Sequence, residues 1–117
     1  MNELQKNAKR NLIQTLECLA SKTQQTSYKE SVPFVHIPYE LICQWDSHFY
    51  KDKKWFIEIW TSQEWKALLA FDQTFNRITK LIPDRDFQDI PELLTHPVWL
   101  EMIAAAEISA QSILKAE

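Results

Sequence analysis

The chain contains no glycine, whereas average usage would place roughly eight in a sequence of this length. Glycine is the residue that takes positive φ without steric penalty and lets other groups approach the backbone closely. Phosphate-cradling loops, primed two-residue hairpins and nucleophile elbows depend on that freedom. Walker and Rossmann nucleotide sites are therefore excluded. A multi-stranded antiparallel sheet is disfavoured, although Asn or Asp can turn a hairpin. Helices are the favoured outcome.

Apolar periodicity supports this. Leu4, Ala8, Leu12, Ile13, Leu16, Leu19 and Ala20 recur at spacings of three and four with polar residues between them, which predicts an amphipathic helix over 3–21. SKTQQTSYKES is polar and aperiodic, and reads as a connector. VPFVHIP, at 32–38, carries two prolines that forbid a helix interior, so an extended segment is expected there. Pro38 suits the first turn of a second helix, about 38–50, with Leu41, Ile42, Trp45 and Phe49 on one face.

Thr61-Ser62-Gln63-Glu64 matches a capping box and predicts that a long helix starts there and stops at Pro83. Trp60 and Trp65 occupy the two positions of a hydrophobic staple around that start. WFIEIW, just before it, fits either one helical turn or a short buried strand paired with VPFVHI; the missing glycines favour the turn. Asp89 and Glu92 resemble a cap and its reciprocal partner for a short helix at 90–95. Pro97 opens a last helix with a stripe of Trp99, Met102, Ile103, Ala106, Ala110, Ile113 and Leu114. The expected fold is one mainly α domain over 1–117, a compact bundle of about four principal helices plus one short helix. A short extended or β segment near 32–38 and 54–60 is the alternative.

Thirteen basic against sixteen acidic residues give a net charge of -3, which argues against a grip on phosphate backbones. The clusters Lys6, Lys9, Arg10 and Lys51, Lys53, Lys54 are small enough to be solvated faces. Cys18 and Cys43 show no CxxC spacing, and the polar start MNELQKNAKRN has no signal-peptide pattern, so a cytoplasmic location is expected. No apolar run approaches the length of a membrane span.

Candidate chemistry is sparse. His36, His48 and His96 lie in no metal-ligand spacing. Asp84, Asp86 and Asp89 lack the Gly and Glu of a calcium loop and read as turn and cap acids. Cys43 with His48 or His36 lacks an oxyanion element and reads as a small buried hydrophobe. No cofactor is implied, and no motif points to an enzyme.

Aromatic density is the strongest remaining lead, with five Trp, six Phe and three Tyr. Tyr50, Trp55, Phe56, Glu58 and Trp60 are the candidate interaction face, framed by Lys51, Lys53 and Lys54. Core filling where the second and third helices join is the competing explanation. The first functional reading is a small protein-interaction module, such as an adaptor, inhibitor or antitoxin-like protein, acting on a protein partner or by self-association. The second is a ligand-binding or catalytic helical domain whose aromatic pocket takes polar groups from His48 and Glu58.

Overall fold

Helix α1, Glu3–Leu19, is started by a capping box in which the Asn2 side chain accepts from the Gln5 amide at 2.8 Å and the Gln5 side chain accepts from the Asn2 amide at 3.1 Å. Its stripe of Ala8, Leu12, Leu16 and Leu19 is buried, as the spacing predicts. The computed structural model describes residues 1–83 and 86–115, the side chains of 114 and 115 excepted; Asp84 of the acidic turn and the side chain of Leu114 in the last stripe thus lie outside what is described.

The expected connector after α1 is instead a helix, α2, Lys22–Ser31. Ser21 caps it by accepting from the Gln24 amide at 3.1 Å. Periodicity missed α2 because its buried anchor is polar. Gln25 has no exposed surface; its amide nitrogen donates to the carbonyls of Cys18 and Leu19 at 3.1 and 3.2 Å, of which the Cys18 carbonyl also accepts from the Ser21 amide at 3.2 Å. Its oxygen accepts the indole N–H of Trp99 at 2.9 Å.

A turn, closed by the Val35 amide on the Val32 carbonyl, replaces the extended segment expected at 32–38. Helix α3 follows, Ile37–His48, with His36 as cap and Pro38 in its first turn. The His36 Nδ1 accepts from the Tyr39 amide at 3.2 Å, so its Nε2 carries the proton donated to the Phe87 carbonyl at 2.8 Å. WFIEIW adopts the helical alternative as α4, Lys54–Ile57. Helix α5, Ser62–Leu81, starts with the predicted capping box at Thr61 and Glu64. It ends where Ile82 turns extended ahead of Pro83.

A 3-10 turn, Glu92–Thr95, then leads to α6, Pro97–Lys115. Neither 32–38 nor 54–60 contains a strand, and no described residue has positive φ. The fold is mainly α, with α1 packed against α3 and α6 and with α5 lying along α6. Ser109 on α6 donates to the Ala67 carbonyl on α5 at 2.9 Å, a contact that only a small residue at that crossing permits.

Asp89 departs from its expected role as cap of the following helix. Its Oδ1 accepts the amides of Ile37 and Ile90 at 3.1 and 2.8 Å, and its Oδ2 accepts from Lys29 Nζ at 2.6 Å. One carboxylate thus joins α2, the start of α3 and the segment before the 3-10 turn. Burial works to raise its pKa, but the hydrogen bonds from Lys29, Ile90 and Ile37 and the lysine charge outweigh that and hold it below the ordinary 3.8.

Two outcomes are expected. Gln25→Leu leaves the Trp99 indole and the Leu19 carbonyl without the partners Gln25 gives them in a buried site, and urea denaturation should show a loss of about 3 kcal/mol. Because the Asp89 pKa is depressed on folding, its contribution is present above the unfolded-state value and is lost as pH falls through the folded one. The stability gap between the native protein and Asp89→Asn should therefore narrow as pH falls below the ordinary carboxylate value of 3.8 in denaturation curves.

Candidate functional site

The aromatic cluster is built by the short segment between α3 and α5. Phe49 caps α3 with its amide on the Trp45 carbonyl, the Lys53 amide returns to the Tyr50 carbonyl, and the amides of Phe56 and Ile57 bond the Lys53 carbonyl to start α4. Such tight local bonding points Phe56 inward. Its ring, with no exposed surface, lies 5.5–6.2 Å from the rings of Tyr50, Trp60 and Trp65. Phe49 and Trp55 stand 6.0 and 5.9 Å away. All five contacts are edge-on, the arrangement that sets a ring's positive edge on a negative face.

The structure divides the five predicted site residues by burial. Phe56 and Trp60 belong to the core, whereas Tyr50 is 37% exposed, Trp55 is half-buried and Glu58 is exposed. Tyr50 and Trp55 lie together, with ring centroids 5.1 Å apart. Two further apolar residues stand exposed on the elements around this pair: Ile57, which the sequence does not single out, and Leu4, which the spacing places on the inward stripe of α1. Ile57 is 37% exposed on α4, and Leu4 is 60% exposed on α1, which is tied to α4 by the Gln5 side chain donating to the Trp55 carbonyl at 3.0 Å. Leu4 continues the α1 stripe past the point where other helices cover it.

Trp60 shows the staple in altered form: it and Trp65 are each packed on Phe56. Lys9 Nζ stands 5.6 Å from the Trp60 ring centre, and the Trp60 indole N–H is buried without a hydrogen-bond partner. Glu58 pairs with Lys54 at 3.9 Å along the α4 turn.

A second feature lies on the other side of Phe49. Trp45, Asp46 and Phe49 of α3, Lys51 of the following loop, and Asp72 and Asn76 of α5 line a cleft of about 190 Å³. Asp72 Oδ1 accepts the Trp45 indole N–H at 2.9 Å; Oδ2 accepts from Asn76 Nδ2 at 3.1 Å and from Lys51 Nζ at 3.4 Å. The sequence carried a signal for this buried acid: Asp72 sits four residues after Leu68 and three before Phe75, on the inward face of α5. The predicted pocket residues His48 and Glu58 do not line the cleft.

The nucleophile alternative gains no support. Both ring nitrogens of His36 are engaged at the start of α3, and Cys43 is half-buried. Burial pushes the Cys18 thiol up to about 11, so it stays protonated at neutral pH. Among the described residues, no group of three or more His, Cys, Asp or Glu could hold a metal, and no helix is long and apolar enough to cross a membrane. No protein family, curated protein or solved structure matches the chain.

Burial separates the two neighbouring aromatics experimentally. Phe56→Ala should cost about 3–5 kcal/mol in chemical denaturation, while Trp55→Ala, half-exposed, should cost about 1 kcal/mol.

Proposed function

We propose that the chain is a protein-interaction module that presents Tyr50 and Trp55 to a different protein. The supporting observation is the half-exposed Tyr50 and Trp55 pair seated on the fully buried ring of Phe56. Aromatic rings fixed in this way offer large contact area without losing much side-chain freedom on binding.

Charge around the pair indicates the kind of partner. Lys51, Lys53 and Lys54 border it beside Asp52 and Glu58, with Lys51 shared with Asp72 at 3.4 Å and Lys54 with Glu58 at 3.9 Å. An apolar side chain flanked by Asp or Glu would fill the patch and meet the lysines. A second copy would bring the same lysines to the interface, which favours a heterologous partner over self-association.

Peptide display on the native protein, with counter-selection on Trp55→Ala, tests this reading. Enriched peptides should combine an aromatic or aliphatic anchor with acidic neighbours and should lose at least about tenfold in affinity for Trp55→Ala. Peptides without acidic bias, or peptides that bind the variant equally well, would refute it. Light scattering over a tenfold concentration range should return the monomer mass of 13.9 kDa; a stable dimer would transfer the patch to self-association.

A further inference from the structure

We propose that the groove along α1 binds an acidic peptide segment, a contact separate from the Tyr50 and Trp55 pair. Lys6, Lys9 and Arg10 line the groove at helical spacings of three and four, so they share one face of α1, and Ile13 and Gln14 continue that face a turn further on. Glu17, at the far end, is the single carboxylate among the lining residues. Among the described residues, none of the three cations is paired with an acid: the ion pairs join Lys29, Lys51, Lys54 and Arg77 to carboxylates elsewhere.

Two of these cations are held in place by neutral groups. Lys9 Nζ stands 5.6 Å from the centre of the Trp60 ring, an attraction that positions an ammonium without neutralising it. Arg10 Nη2 donates to Asn7 Oδ1 at 2.7 Å, which steadies the guanidinium and leaves its other N–H groups for a ligand. The lysines beside the aromatic pair differ, since Lys51 and Lys54 are already shared with Asp72 and Glu58. Positive charge gathered in a groove draws in anions. A steadied arginine suits a carboxylate in particular, because its planar fork can grip both oxygens.

The dimensions and lining of the groove select among anions. It measures about 500 Å³, and at roughly 1.5 Å per helical residue Lys6 and Gln14 lie about 12 Å apart along the axis. That is the length of about four residues of extended chain at roughly 3.3 Å each. Met1 and Ile13 add apolar surface that a peptide side chain can cover. Glu17 would repel a nucleic-acid strand running on past Gln14, and the net charge of -3 disfavours a long polyanion. A segment of about four residues with its carboxylates toward Lys6, Lys9 and Arg10 meets both conditions.

The test follows the backbone amides of the full chain by NMR during separate titrations with hexaglutamate, hexaglutamine and an oligothymidylate of equal length. Hexaglutamate should move the amides between Lys6 and Glu17 saturably, and hexaglutamine should not. Lys6→Gln combined with Arg10→Gln changes two exposed positions to a residue that favours helix, and should weaken hexaglutamate by about fivefold. Trp55→Ala should leave that affinity unchanged, so failure of the aromatic-pair reading and failure of this one give different results. No saturable movement, equal movement with hexaglutamine, or movement confined to residues 51–54 would overturn the proposal. So would unchanged affinity in the double variant, weakened affinity in Trp55→Ala, or tighter binding of the oligothymidylate than of hexaglutamate.

Discussion

Five aromatic rings stand edge-on around Phe56, and the surface character of one end of the molecule depends on that arrangement. The four residues of α4 are too few to be stable as an isolated helix. Burial of Phe56 holds them in place, and each edge contact adds about 0.5–1.5 kcal/mol beyond the area it covers. With Phe56 inside, its neighbours Trp55 and Ile57 must emerge on other sides of the same short turn. The exposed pair and the buried hub are therefore a single structural decision.

Elsewhere the helices are joined by individual polar side chains. Gln25 links the end of α1 to α6, Asp89 links α2 to the start of α3, and Asp72 links α5 to α3 and the loop after it. Such groups are costly to bury unless their partners are in place, which makes them selective for one packing of the helices. The three differ in how fully they are satisfied. Gln25 is enclosed and engaged at both ends, whereas Asp72 meets Lys51 at 3.4 Å, farther than its bonds from Trp45 and Asn76.

What could be read from the sequence follows the same division. The start of α5 at Thr61, its stop before Pro83 and the stripe of α1 were legible because capping boxes, prolines and apolar spacing act over a few residues. Helix α2 was not, because a single buried glutamine leaves no apolar period in SKTQQTSYKES. Asp89 was assigned to the wrong helix because its Ile37 and Lys29 partners lie 52 and 60 residues away. Among the candidate site residues, the aromatic content was plain, but adjacent rings in WFIEIW gave no rule for which would turn inward. Only the packing around Phe56 separates Trp55 from Trp60.

A backbone whose described residues all avoid positive φ has a counterpart in the denatured chain. Glycine gives an unfolded polypeptide its widest choice of conformations, and replacing one by alanine where the native φ allows it favours folding by about 0.4–1 kcal/mol. Here that freedom is missing from every position of the sequence. The disordered ensemble is correspondingly stiffer and loses less entropy when it collapses. Part of this protein's stability thus resides in the narrowness of the state it leaves, and no inventory of contacts in the folded form would find it.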